Sequence, residues 1–328
     1  MVQFKHPPKK HIDGIVLLNK PVGVSSNGIL QRVMRIFNAK KGGHTGALDP
    51  FATGLLPICL GEATKISGLL LDSDKRYTAT LKLGQQSDTG DTEGEIIKEL
   101  AVPPLTREFI ESIFTQFTGL TEQIPPMYSA LKHQGKPLYF YARQGIEIER
   151  PARPITIKAL KLISFTDHEI VFDVLCTKGT YVRTLGEDMA LAMGTVGHLI
   201  ALHRTQTGDL PGDDMLTFEE IEAQQLSCVH PIDIALTHLQ RMDLNAEEVD
   251  LIQHGQMLDY PQPEGALVRL YDNGVCFAVG EWSEKKQMLK AKRVFNLHLA
   301  QAQLQQETLQ TLNAEIAQVK HSVTEEAS

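Results

Sequence analysis

"GGHTGALDPFATGLLPICLGEATK" spans residues 42–65. A loose glycine- and threonine-rich loop ends in an Asp-Pro step, and an apolar run follows it. Asp49 with Pro50 behind it fits a helix N-cap with proline at the first helical position, so this pattern predicts a helix from Pro50. The other reading is that the carboxylate is kept for chemistry. The stretch by itself leaves both open.

The flanks are easier to read. "GIVLLNKPVG" (14–23) is a short buried strand ended by Lys20-Pro21 and Gly23, and residues 25–39 form an amphipathic helix with Ile29, Val33, Ile36 and Phe37 on one side. Downstream, "KRYTATLKLGQQ" (75–86) alternates as a half-buried strand, "SDTGDTEGE" (87–95) is an acidic turn-rich loop, and residues 106–119 make a helix closed by Gly119. Residues 123–153 change character, with interleaved aromatics, prolines and cations, and read as an excursion from the core. Cations among rings suit unpaired RNA bases as well as a packed insertion. Two strands and a turn at Lys178-Gly179 precede a helix from about Thr180 to Gly194. "TVGHLIALHRTQTGDL" is a further short element. Beyond about residue 240, Asn245 and Glu248 form a capping box, Asn273-Gly274 a hairpin turn and "MLKAKRVFN" a strand, together a small, mostly β module. Residues 299–319 read as a terminal helix carrying Leu309, Leu312, Ile316 and Val319.

Length and composition bound the possibilities. The 328 residues suffice for two domains, and 42% hydrophobic with 22% charged residues is ordinary for a globular protein. No segment approaches the roughly 20 apolar residues of a membrane span. The start lacks a secretory signal. Cys59, Cys176, Cys228 and Cys276 stand far apart, as reduced thiols in a cytoplasm would. The net charge is -8, yet residues 1–65 hold nine Lys/Arg against three acids, a net of +6 that leaves -14 on the rest. A basic face on an acidic body suits nucleic acid, and a lysine-rich solvated terminus equally.

The motifs exclude several chemistries. No phosphate-cradling glycine loop is present, His198 and His203 lack the spacing of one helical face, no Cys/His cluster reads as zinc, and "YSALK" (128–132) lacks a nucleophile-elbow setting. An enzyme built on this chain is expected to work without metal or cofactor. Taken singly, Arg183 reads as a surface helix residue, Tyr77 as a strand ring, Lys65 as a solvated lysine and His44 as a loop histidine.

Together they match a family. The chain resembles the TruB family of bacterial tRNA pseudouridine synthases through "GIVLLNKPVGVSSN", "GGHTGALDPFATGLLPICLGEATK", "DSDKRYTATLKLG", "SDTGDTEG", "IPPMYSALKHQGKPLYFYARQGIEIERPARPI", "CTKGTYVRTL" and "HLIALHRT". The resemblance covers roughly residues 12–300. It implies an α+β fold, a pseudouridine-synthase core with a mixed, largely antiparallel sheet flanked by helices, plus a small mostly-β PUA-like domain. The implied division is 1–238 catalytic, with 124–153 a thumb-like RNA-binding insertion, 239–297 PUA-like, and 298–328 a helical extension past the family's usual end.

By resemblance, the reaction is isomerisation of uridine-55 in the tRNA T loop to pseudouridine after base flipping, with a tRNA-folding role beside it. Asp49 is the implied catalytic carboxylate, Arg183 its cationic partner and Tyr77 the ring that stacks on the target base. His44, Lys65, Asp91, Tyr181 and Leu202 are implied substrate contacts. Lys20, Lys132, Lys136, Arg143, Arg150 and Arg153 are candidates for RNA phosphates. The implied partner is tRNA, held at T loop and stem and, through the PUA-like module, at the acceptor stem, by a cytoplasmic monomer. Ser87 stands where the family often has threonine. Three readings therefore compete: a catalytic isomerase, an RNA-binding and RNA-folding protein, and a structural protein in which Asp49 is only a cap.

Overall fold

β1 (Gly14–Lys20) is an almost wholly buried strand, and Pro21 ends it. The Ser25 side chain then accepts from the Gly28 N–H and starts α1 (Ser26–Ile36), whose Ile29, Leu30 and Val33 face inward. β2 (Gly42–His44) and β3 (Thr53–Leu60) follow. The helix expected from Pro50 is absent. The Asp49 carbonyl accepts from the Ala52 N–H in a turn, and a strand begins at Thr53. An apolar run this short fits a buried strand as well as a helix, and here the glycine decides. Gly54 has φ +98°, and a Cβ on it would lie 2.4 Å from the Arg204 carbonyl oxygen. Only glycine lets the backbone approach so closely. The chain is a computed structural model describing residues 8–297. The terminal helix expected at 299–319, and the 298–328 extension with it, lie outside the described residues.

A 3-10 turn (Gly61–Lys65) and α2 (Ser67–Asp72) lead into β4 (Lys75–Leu83), which alternates as expected. β5 (Gln85–Ser87) and β6 (Ile96–Glu99) bracket the acidic loop. Thr106 caps α3 (Arg107–Phe117), and β7 (Gly119–Gln123) follows it. The excursion holds β8 (Lys132–His133), β9 (Lys136–Pro137) and α4 (Leu138–Ala142). It leaves at Gln123 and returns at Arg153, and these two residues pair across β7 and β10 (Arg153–Phe165). β11 (Glu169–Cys176) precedes α5 (Val182–Ala192). The "short element" of residues 195–210 is larger than expected: β12 (Gly197–Thr207) runs eleven residues through the middle of the sheet, and β13 (Leu210–Pro211) folds back on it. α6 (Phe218–Gln224) starts with a Thr217–Glu220 capping box.

The nine-stranded sheet is ordered β1-β3-β12-β4-β11-β10-β7, with β2 on β3 and β13 on β12. All its pairings are antiparallel except β3 with β12, which touch only at His203–Thr53 and Arg204–Gly54. This two-residue seam joins the sheet's halves. α1, α3, α5 and α6 bury Val33, Phe114, Met189 and Ile221 in a core shared with Ile58, Leu81, Phe172 and Leu199.

The last unit is β14 (Gln240–Asp243), α7 (Ala246–Gln253), β15 (Leu267–Asp272), β16 (Val275–Ser283) and β17 (Met288–Val294), a four-stranded sheet. The capping box at Asn245 and Glu248 is formed, and Asn273-Gly274 turns the hairpin with φ of 45° and 82°. Tyr271, Cys276 and Phe295 pack with Ile15, Leu55 and Leu70, so the unit shares apolar contacts with the large sheet.

The seam makes a quantitative demand. Gly54→Ala should cost about 2–3 kcal/mol, from the left-handed φ plus the clash with the Arg204 backbone, and denaturant melts check it. An unchanged midpoint would show that the seam relaxes freely.

Candidate active site

A cavity of about 110 Å³ opens beside the seam, lined by Asp49, Tyr77, Tyr181, Arg183 and Leu202 together with the loop ahead of Asp49. The lining residues come from four separate places in the chain. Asp49 sits in the loop between β2 and β3, Tyr77 on β4, Leu202 on β12, and Tyr181 and Arg183 where α5 begins.

Arg183 organises the floor. Its side chain is 4% exposed, and its Nε lies 2.8 Å from Asp49 Oδ2. Nη1 donates to the Thr89 carbonyl at 2.6 Å and lies 3.4 Å from Asp91 Oδ2, while Nη2 donates to the Tyr128 carbonyl at 2.8 Å. A buried guanidinium is tolerated because these donors are met. Asp91 is itself fixed, since its Oδ1 accepts from Thr89 Oγ1 and the Glu93 N–H. Asp49 differs, with a side chain 39% exposed and open to the cavity. Burial pushes its carboxyl above the usual carboxylate range; Arg183 pulls it down and Asp91 pushes it further up. Burial likewise raises the Tyr77 phenol, with the Arg204 charge pulling the other way.

The loop carrying Asp49 is gripped from behind. Lys20 is fully buried, and its Nζ donates to the carbonyls of Pro21, Pro50 and Ala52 at 2.9, 3.1 and 2.6 Å. Burial pulls its ammonium down to about 8, against the Asp49 charge. Arg204, also buried, donates to the carbonyls of Leu55 at 2.7 Å and Gly46 at 3.1 Å. Tyr181 is clamped by Gln123, whose side chain accepts from the Tyr181 N–H at 2.8 Å and donates to its carbonyl at 3.1 Å. Among the described residues, no group of three or more His, Cys, Asp or Glu is placed to hold a metal ion.

Two family descriptions match adjoining stretches of this chain: "TruB family pseudouridylate synthase (N terminal domain)" over residues 34–182, and "tRNA pseudouridylate synthase B C-terminal domain" over residues 183–241. The chain belongs to the TruB family. It is 64% identical to the tRNA pseudouridine synthase B of Hydrogenovibrio crunogenus, over 88% of this chain and 95% of that one, and 48% identical to that of Marinomonas sp., over 88% and 96%. The fold is also that of a solved Cbf5-Nop10-Gar1 complex, with a TM-score of 0.69 at 23% identity over 87% of this chain and 86% of that one.

Within this TruB-family site, Asp49, Arg183, Asp91, Tyr77, Tyr181 and Leu202 are brought together. His44 lies on β2, paired with Ile58; its buried Nδ1 has no hydrogen-bond partner, and burial lowers its pKa. Two expectations need correction. Lys20 is no surface phosphate contact, because three carbonyls hold it in the interior. Lys65 is not in the cavity. Its Nζ bonds Glu62 and, at 2.7 Å, the Val294 carbonyl at the end of β17, and Glu62 also accepts from the Asn296 N–H. This ion pair fastens the small sheet to the large one. In the excursion, Lys132, Lys136, Arg143 and Arg153 are exposed, while Arg150 is drawn in toward Glu147 and leaves buried Nε and Nη1 without partners.

Sequence reasoning missed Arg204, Gln123 and Glu187. Arg204 was detectable as a cation two residues after Leu202, on the same face of a strand. Glu187 lies one turn after Arg183 on α5, with its carboxylate against Gly90. Burial pushes it up to about 7, and Asp188 and Asp91 add to the rise. The folded state thus favours the neutral acid. That stabilisation is complete below the unfolded value and is lost as pH rises through about 7. Glu187→Gln, neutral throughout, should lose less Tm than wild type between about pH 5 and pH 8; superimposable Tm–pH curves would refute this.

Proposed function

We propose that this chain isomerises uridine-55 in the T loop of tRNA to pseudouridine, with Asp49 as the catalytic carboxylate. Family membership supports the reaction class, and curated relatives named tRNA pseudouridine synthase B support the substrate. One observation carries the role of Asp49: it caps no helix and instead faces an open cavity on a buried guanidinium.

The uridine must leave its stack to reach that cavity, at a cost of about a few kcal/mol. His44 takes the vacated position in the loop. The base settles against Tyr77 and Leu202, with Tyr181 alongside. Asp49 acts as the anion that Arg183 holds in place. Attack at ribose C1′, attack at uracil C6, and removal of a ribose proton on a glycal route all need that ionised form. In each, the N1–C1′ bond breaks, the base turns, and C5–C1′ forms. C5 then gives up its proton while N1 gains one, so no co-substrate is consumed.

The excursion 124–153 is proposed as the thumb that closes on RNA, through Lys132, Lys136, Arg143, Arg150 and Arg153. The unit 239–297 is proposed as a PUA-like module for the acceptor stem. Its cations gather at residues 284–293, with Lys285, Lys286, Lys290, Lys292 and Arg293 in ten residues; Lys290 and Lys292 both pair with Glu281, which leaves the others without an ion pair to a described carboxylate. We place the protein in the cytoplasm as a monomer, assisting tRNA folding as well as modifying it. Among the described residues no helix is long and apolar enough to cross a membrane.

Asp49→Asn is the direct test. With unmodified tRNA transcript and no added metal or cofactor, wild type should convert the T-loop uridine, while the folded variant binds RNA and loses roughly 10³-fold or more in turnover. Equal conversion by both would reduce Asp49 to a structural residue. Failure of wild type to convert would favour the binding and folding reading. Because Asp49 must be ionised and burial raises its pKa, kcat/KM should fall with decreasing pH through a value above the ordinary 3.9 or so of an aspartate. An acid limb at or below that value would contradict the burial argument.

A further inference from the structure

The nine cations of residues 1–65 are not equivalent in the fold. Lys20 is sealed inside, Lys65 is engaged with Glu62, and Arg32 pairs with Glu222 and lies over the Phe218 ring. Lys5 lies outside the described residues. The other five, Lys9, Lys10, Arg35, Lys40 and Lys41, are exposed, and none forms an ion pair with a described carboxylate.

Backbone pairing gathers them. Lys10 and Ala39 form a parallel bridge, in which the Lys10 N–H donates to the Asn38 carbonyl and the Lys40 N–H to the Lys10 carbonyl. That places 9–10 beside 40–41, with Arg35 in the last turn of α1 just before them. The nearby acids make their hydrogen bonds outside the patch: Asp13 Oδ1 accepts from the Glu62 N–H, and Glu62 holds Lys65 and the Asn296 N–H, with the Lys41 charge acting on it from the patch side. The patch therefore keeps a single sign on a chain whose remainder is strongly acidic, which focuses attraction for a polyanion there.

Its position relative to the cavity is set by β3. The Gly61 N–H donates to the Lys41 carbonyl at the far end of that strand, whereas Asp49 lies before its Thr53 end. Seven strand steps of about 3.3 Å separate the two ends by about 23 Å. His44, opposite Ile58, lies between them. At the patch end stands the Glu62–Lys65 tie to β17.

We infer that Lys9, Lys10, Arg35, Lys40 and Lys41 form a phosphate-binding patch that takes the sugar–phosphate backbone of the RNA substrate outside the modified loop, on the side leading to the small C-terminal sheet. This rests on the RNA-modifying reading above. The patch supplies affinity and register and touches no reacting atom, so it governs KM and salt dependence and leaves kcat alone.

The test replaces Lys9, Lys10 and Lys40 together by Gln, and in a second variant by Arg. Arg32→Gln serves as the control for a cation outside the patch. tRNA affinity is measured against salt, alongside kcat at saturating tRNA and Tm. The Gln variant should keep Tm and kcat, bind tRNA about tenfold or more weakly near 0.1 M salt, and lose about two units from the slope of log K against log salt. The Arg variant should behave as wild type, and Arg32→Gln should leave the slope unchanged. An unaltered slope in the Gln variant, or a loss in kcat alone, overturns the inference. So does loss of retention on phosphatidylglycerol vesicles with tRNA affinity intact, which would assign the patch to a lipid surface. If wild type converts no uridine yet the Gln variant still loses slope, the functional reading fails and the patch stands.

Discussion

One buried cation sets the terms for everything around the cavity. Arg183 is the second residue of α5, at the positive end of that helix, where a further positive charge is disfavoured. Burial adds a desolvation cost that only close partners offset. The fold answers by bringing four chain segments to one guanidinium: the Asp49 loop, the Thr89–Asp91 loop, the foot of the excursion at Tyr128, and α5 itself. Two carboxylates outnumber the cation, and only one of them opens to the cavity. Asp91 and the two carbonyls satisfy the arginine inside the protein, which leaves Asp49 positioned and still accessible.

Lys20 and Arg204 work on the same loop from the opposite side. Both are buried and both spend their donors on backbone carbonyls, so the loop between Gly46 and Leu55 is fixed by its main chain. The Asp49 carboxylate is thus carried on a loop with little freedom to rearrange, the preorganisation that its proposed role asks for. Gly54 belongs to this arrangement as well, because its missing side chain lets β3 and β12 meet where Arg204 reaches across.

Much of this is legible in the sequence. β1, α1, β4, α3, α5 and the hairpin at Asn273-Gly274 follow from apolar period, caps and turn residues, which act locally. Asp91, Tyr77, Tyr181 and Leu202 meet Asp49 and Arg183, a gathering that motif resemblance implied and that spacing alone did not. The misses share a physical cause. Whether residues 53–60 become helix or strand depends on β12, about 150 positions away, and β12 reads as a fragment because its inward face carries Arg204 beside Leu202. Lys20 reads as a phosphate contact and Lys65 as a solvated lysine because the carbonyls of Pro50 and Ala52 that bury the one, and of Val294 that binds the other, lie far away in the chain. Composition records a charge and says nothing of whether a carbonyl cage awaits it.

The excursion closes at its base through the Gln123–Arg153 pair, so it leaves and rejoins the sheet at one place. Yet its foot is tied twice to the start of α5, through Gln123 to Tyr181 and through the Tyr128 carbonyl to Arg183. Linkage makes such a tie reciprocal: whatever orders the excursion also tightens the pair on the cavity floor, and occupying the cavity favours the ordered excursion to the same extent. A ligand gripping only the outside of this protein would therefore change the free energy of its interior ion pair, with no contact to it.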